Sequence, residues 1–256
     1  MRSYTNLTWP DDPYRTGQQL YRRPVPRLAA FATGPAATCG RLAPAAVAIV
    51  YLPLHRTRTV TVTEQTLTFG FRAASADDPA DMPALAAIAD LDLMQARRHA
   101  AVLAGHLLAE DLAALRQAGD AAALRGLTAV ECEWAARGKA AGRAATFDCG
   151  LDLPQAPPLE LACQQADITT GPGQDGVDGR QAVTLAVERA LAIALICARH
   201  LGRYEWAGTL RIGPVLAAAT WDCLPQPTTD TPAVLTSQAA GQSGPDAGAS
   251  SAGNLK

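Results

Sequence analysis

The sequence is poor in aromatic and charged residues, and neither sign of charge prevails. Of its 256 residues, 5% are Phe, Trp or Tyr and 18% are charged, and 22 basic against 24 acidic side chains leave a net charge of −2 at pH 7. Proteins that bind nucleic acid tightly without sequence preference usually carry a basic excess. The overall charge excludes that class and leaves only a local basic patch for such a role. Because 48% of the residues are hydrophobic, wholesale disorder is excluded as well.

Cysteine is present but never in a metal-binding or redox pattern. None of the six cysteines forms a CxxC pair or stands near a histidine at zinc-finger spacing. Scattered single cysteines are usually small buried hydrophobic residues, and free thiols fit a reducing cytoplasm. We therefore expect a cytoplasmic protein in which the six thiols are buried, namely Cys39, Cys132, Cys149, Cys163, Cys197 and Cys223.

An uninterrupted apolar run of membrane length is also missing. The longest apolar stretch, Ala182 to Ala198, is broken at its middle by Glu188 and Arg189. A membrane helix needs about 20 apolar residues, and central charges there are costly. The first fifteen residues have no apolar core of the kind a secretory signal contains. We expect no membrane association and a buried helix near residues 181–201.

The composition divides the chain into three regions. Residues 1–40 are rich in Pro, Arg and Thr, which indicates an extended lead-in, and the basic YRR at 21–23 offers the alternative of an arm that contacts a partner. Residues 41–225 carry the periodic hydrophobic pattern of a folded domain. Residues 226–256 are mostly Ser, Gly, Pro and Ala and are predicted to be a disordered tail.

Strands and helices alternate in the predicted domain. A continuous apolar run at 46–54 predicts a strand covered on both faces, and the Thr-alternating segment 58–72 predicts a hairpin with its turn at Glu64 and Gln65. A helix, a short strand at 100–105, two helices, a strand within 143–154 and further helices follow. This order predicts an α/β fold with a mixed sheet flanked by helices.

The stretch AVLAGHLLAEDLAALR, residues 101–116, contains the most informative candidates for functional residues. A short strand ends in Gly105 and His106, and Glu110 and Asp111 begin an amphipathic helix that Gly119 stops. Structural roles explain each residue alone, since acids in the first helical turn contribute about 0.3–1 kcal/mol through the helix dipole. Likewise, Asp148 in the segment FDCGLD is typical of a turn that its side chain caps.

The same stretch resembles the second motif of DEDD-type 3′–5′ exonucleases, which have the ribonuclease H-like fold. That motif is a strand ending in Gly-His-Asn with an aspartate four residues after the asparagine; here Leu107 stands at the asparagine position and Asp111 is the matching acid. TFDCGLDLP, at 146–154, resembles the family's fifth strand, and VTLAVERALAIALICARHLG, at 183–202, resembles its last motif helix. The resemblance covers residues 45–201 and implies a ribonuclease H-like sheet.

The family's chemistry uses two divalent metals, held by four carboxylates. Here the run at 46–54, identified as the first strand, contains no acid where the family has Asp-x-Glu. In the last motif, aligned on Ala190, Thr184 stands at the histidine position and Arg189 at the acid position. Glu188 is adjacent but points about 100° away around the helix. Asp90 and Asp92 have Asp-x-acid spacing, but they lie too close to His106 to be the first motif.

One carboxylate cannot offset two closely spaced divalent ions. We therefore expect an inactive exonuclease-like domain that serves as a binding or scaffolding module, with no cofactor, and with nucleic acid or protein as its partner. The alternative is a divergent exonuclease that uses Mg²⁺ or Mn²⁺ on Asp111 and Asp148, with His106, Asp111 and Glu188 as candidate catalytic residues. A third hypothesis is an unrelated α/β domain.

Overall fold

A computed structural model describes residues 1–7, 27–34, 44–55, 57–120, 123–136, 144–171 and 179–220. All of them belong to one compact unit, Met1–Gln226. The predicted tail, the basic YRR at 21–23 and most of the Gly-rich segment before residue 179 lie outside the described residues.

The described strands are β1 (Arg2–Thr5), β2 (Arg27–Gly34), β3 (Ala46–Pro53), β4 (Val60–Thr61), β5 (Gly70–Ser75), β6 (Val102–Gly105), β7 (Ala145–Asp148), β8 (Ile168–Thr169), β9 (Tyr204–Glu205) and β10 (Leu210–Arg211). The helices are α1 (Met82–His99), α2 (Leu108–Ala118), α3 (Arg125–Ala136), α4 (Leu159–Gln165), α5 (Gly179–His200) and α6 (Ile212–Thr220). A 3-10 turn, Pro79–Asp81, leads into α1.

Six strands form one mixed sheet in the order β1-β5-β3-β2-β6-β7. The pairs β1–β5, β5–β3 and β3–β2 are antiparallel, whereas β2–β6 and β6–β7 are parallel. The prediction of an α/β fold with a mixed sheet flanked by helices is therefore confirmed. Because β2, β6 and β7 run in the same direction, their carboxyl ends lie at the same edge of the sheet.

Two parts of the strand assignment were wrong. The run at 46–54 is not the first strand of the central sheet, because β2, with the sequence RLAAFATG, precedes it within the segment 1–40 that was predicted to be a lead-in. It is β2 that pairs with β6. The Thr-alternating segment forms no hairpin: its turn at 63–67 is present, but β4 pairs with β9, and β5 begins only at Gly70. Alternation with threonine favours a strand locally, but the sequence does not show which partner the strand pairs with.

Helices cover both faces of the sheet. On one face α5 packs against β2 and β3, and its residues between Ala182 and Ala198 are mostly buried. On the other face α1, α2 and α3 enclose a second apolar cluster around Phe31, Leu93 and Trp134. The helical segment Gln181–His200 is long and apolar enough to cross a membrane by composition alone, but 78% of its most apolar window is buried inside the fold. The prediction of a buried core helix is therefore confirmed.

Candidate functional site

The carboxyl ends of the parallel strands are where this architecture places a ligand site. In open α/β sheets, ligands bind beyond the carboxyl ends of strands at the point where neighbouring connections run in opposite directions. Here the chain leaves β2 toward β3 on one side, while β6 lies on the other side. Side chains from β2, from the turn after β6, from α2 and from α5 meet at this point. They are Thr33, His106, Asp111 and Arg189.

Asp111 is the acid of this group, and it lies in the first turn of α2. The hydroxyl of Thr33 donates a hydrogen bond to its carboxylate, and Arg189 lies close enough to act on its charge. Burial raises the pKa of Asp111 above its ordinary value, against the hydrogen bond from Thr33 and the attraction of Arg189. Desolvation therefore outweighs the stabilisation of the charged form by its two partners.

Arg189 is the cation of the group and acts on two neighbours. It lies in α5, and its charge is close enough to Asp111 and His106 to lower the pKa of each. A guanidinium is permanently charged at any physiological pH. The point at which the family resemblance implies a metal-binding carboxylate is therefore a fixed positive charge.

His106 lies directly after β6 and is half-buried. Burial lowers its pKa, and Arg189 lowers it further, while the carboxylates of Asp148 and Glu160 raise it. Its Nδ1 lies 3.4 Å from the Sγ of Cys149, whose thiol also donates to the carbonyl oxygen of Gly105 over 3.3 Å. Burial raises the pKa of Cys149 to about 12, so the sulfur is a neutral thiol and not a nucleophile at pH 7.

Asp148 is a structural acid whose two oxygens are fully used. Oδ1 accepts hydrogen bonds from the backbone N–H groups of Leu107 and Gly150, each at 2.9 Å. Oδ2 accepts from the backbone N–H of Leu108 at 3.3 Å and from the indole Nε1 of Trp134 at 2.8 Å. The side chain thus caps the amino end of α2, whose first N–H groups have no partner within the helix. It also caps its own turn through Gly150, as the sequence predicted.

Glu188 has a partner other than the residues around Asp111. It is buried, and its carboxylate accepts a hydrogen bond from the backbone N–H of Gly171. Burial raises its pKa. Within the part of the chain that the structure describes, no three or more His, Cys, Asp or Glu side chains are grouped so as to hold a metal ion. The candidate metal ligands Asp111 and Asp148 and the candidate catalytic Glu188 are therefore not assembled into one centre.

The remaining acids and the corrected first strand do not supply the missing ligands. Asp90 lies within α1 and accepts a hydrogen bond from the N–H of Leu127 at 2.7 Å, and Asp92 pairs with Arg72 at 3.3 Å. They are not a strand motif, as their spacing from His106 had indicated. β2, which replaces β3 as the first strand of the central sheet, has no carboxylate in its sequence either. The residues that are present do not fit a two-metal site.

Sequence reasoning missed two residues of this region. Thr33 stands at the end of β2, where a polar residue that is 5% exposed follows an apolar run. Trp134 donates to Asp148 from α3. The signal for Thr33 was present in RLAAFATG, since a buried hydroxyl at a strand end needs a partner.

Comparison with protein-family models, with curated proteins and with solved structures gives no match for this chain.

Proposed function

We propose that this chain is a ribonuclease H-like domain related to DEDD-type exonucleases, in which Arg189 stands where the family has a metal-binding carboxylate and which acts as a binding or scaffolding module. Without β1, the sheet has the strand order β5-β3-β2-β6-β7. Of these five strands, β3 is antiparallel to the other four. A mixed sheet of this kind is compatible with the ribonuclease H-like sheet that the resemblance implies. It supports the relationship on grounds independent of the Gly-His motif.

The proximity of the Arg189 charge to both Asp111 and His106 is the observation that carries the proposed loss of activity. A divalent ion about 5 Å from a guanidinium is repelled by roughly 5–7 kcal/mol at an effective dielectric constant near 20. Asp111 alone offsets only part of this repulsion, and Thr33 supplies a neutral oxygen. A pair of Mg²⁺ or Mn²⁺ ions would therefore be unstable at this point.

Metal titration tests this proposal directly. The Tm of the wild-type protein should stay the same in millimolar Mg²⁺ or Mn²⁺, and labelled single-stranded DNA and RNA should not be shortened from the 3′ end. If the ion were bound at a hundred times its Kd, mass action would raise the Tm by about 5–10 °C. A rise in Tm that Asp111→Asn abolishes, together with metal-dependent degradation, would instead support the divergent exonuclease.

A variant of the cation sharpens the test. Arg189→Gln removes the positive charge and leaves a shorter polar side chain, so any residual affinity of Asp111 for a divalent ion should increase. Arg116→Gln removes an exposed arginine farther along α2 and serves as the matched control. If neither variant changes the response to metal, Arg189 is not what excludes the ion.

A further inference from the structure

Two exposed leucines lie in adjoining turns beside the candidate site. Leu107 follows His106 and is 42% exposed, and Leu151 follows Gly150 and is 51% exposed. A Cβ placed on Gly150 would lie 2.9 Å from Cδ2 of Leu107, so the turn after β6 and the turn after β7 are in direct contact. We call Leu107, Leu151 and Gly150, against which Leu107 packs, the leucine patch.

The backbone at Leu107 shows that folding alone does not favour leucine there. Its φ of 49° is in the left-handed region, which costs a residue with a Cβ roughly 1–2 kcal/mol. The side chain remains 42% exposed, so its contact with Gly150 buries only part of it. The hydrogen bond from its backbone N–H to Asp148 holds the conformation in place. A strained and exposed apolar side chain at a site is more readily explained by contact with another molecule than by stability.

The surroundings of the leucine patch are acidic. Glu110 and Asp152 are exposed in the two turns and their adjoining helix, and Glu160 is exposed near His106. Asp111 adds a partly buried carboxylate whose charge Arg189 opposes. Among the described residues that flank the patch, acids therefore outnumber bases. The patch is an apolar centre within a negative rim.

The negative charge of the rim favours some classes of binding partner over others. Phosphates of a nucleic acid and anionic lipid headgroups would be repelled by it. A second copy of this chain docked by two-fold symmetry would bring the same acids face to face. A protein segment with an apolar side chain between basic residues would pack against the leucines and pair its cations with the acids of the rim.

We propose that the leucine patch binds a segment of a partner protein in which apolar side chains are flanked by lysine or arginine. This inference rests on the proposed function as a binding module and specifies its partner. The apolar contact supplies affinity, and the rim supplies charge complementarity and sensitivity to salt.

Fluorescence anisotropy with a labelled synthetic peptide tests the inference on the full chain. The probe carries two leucines between lysines and arginines, and the two control peptides replace either the basic residues by glutamate or the leucines by serine. We expect saturable binding of the probe alone, weakened at least about tenfold by Leu151→Ser or Glu160→Lys. Leu201→Ser changes an exposed leucine at the end of α5 and should leave binding unchanged.

Several results would overturn the inference. They are absence of saturable binding of the probe at millimolar concentration, equal binding of the glutamate peptide or of single-stranded DNA, and insensitivity to Leu151→Ser. Sedimentation showing a dimer that Leu151→Ser dissociates would assign the patch to a second copy instead. None of these results depends on metal. The proposed loss of exonuclease activity is therefore tested separately, by the titration with Mg²⁺ and Mn²⁺.

Discussion

Asp148 and Asp111 lie at the same edge of the sheet, yet the chain satisfies them in different ways. Asp148 is 2% exposed and accepts four hydrogen bonds, all from neutral N–H groups of three surrounding segments. Asp111 is only partly buried, accepts from the hydroxyl of Thr33 and faces the cation of Arg189. The first acid joins elements of the fold, and the second forms part of a charged surface.

The difference shows which carboxylate is structural. A buried carboxylate with four donors cannot be removed without leaving those donors unpaired, which is the costly consequence. When a carboxylate with one hydroxyl partner and a nearby cation is neutralised, no buried N–H group loses its acceptor. Substitutions of Asp148, Asp111 and Leu107 separate the two kinds of acid and the backbone that Asp148 holds, and Asp92 adds a third kind of acid to the comparison.

The largest effect is expected from Asp148→Ala. It leaves the N–H groups of Leu107 and Leu108 and the indole of Trp134 without their acceptor, and we expect a loss of about 3–5 kcal/mol in the free energy of unfolding. Chemical denaturation measures this. Trp134→Phe, which removes a single donor, should cost less. A loss below about 1 kcal/mol for Asp148→Ala would show that the donors find other acceptors.

Asp92 is a buried acid of a third kind, with a single cation beside it. Its side chain is 4% exposed, Arg72 lies 3.3 Å away, and burial raises the pKa of Asp92 to about 6. Above pH 6 the carboxylate is charged in the folded and unfolded states, so the cost of burying the charge is fully present. Between about pH 6 and pH 4 only the folded state binds the proton, and the protein becomes more stable as the pH falls.

We therefore expect Asp92 to contribute about 2 kcal/mol of added stability on going from pH 7 to pH 4. Asp92→Asn cannot titrate, so the difference between wild type and variant isolates this contribution from that of other acids. Denaturation curves measured at several pH values test it. Parallel pH profiles for the two proteins would contradict a raised pKa for Asp92.

The sequence alone was enough for some of these features and not for others. The short buried strand β6, the amphipathic helix α2 and the apolar helix α5 follow from local periodicity, and with them the positions of Asp111 and Arg189. β2 was missed because its alanines lack the branched side chains that mark a strand. The role of Asp148 in capping α2 depends on a donor 41 residues away in the sequence, at Leu107.

Leu107→Asn tests the strained backbone that Asp148 holds. Asparagine adopts the left-handed conformation more readily than leucine, so we expect a gain of about 1 kcal/mol in the free energy of unfolding. The same change should weaken binding of the basic peptide, because it removes half of the leucine patch. Leu151→Asn, at a position without positive φ, provides the control and should bring no gain in stability. Equal stability of Leu107→Asn and wild type would show that the contact of Leu107 with Gly150 offsets the strain.

The smallest effect on stability is expected from Asp111→Asn. Because burial raises the pKa of Asp111 despite Thr33 and Arg189, its charge is less favourable in the folded state than in the unfolded state. The neutral amide still accepts the hydrogen bond from Thr33, so the free energy of unfolding should change by less than about 1 kcal/mol. Chemical denaturation of the variant and the wild-type protein measures this change. A large loss of stability would place Asp111 with Asp148 among the structural acids and remove the distinction between them.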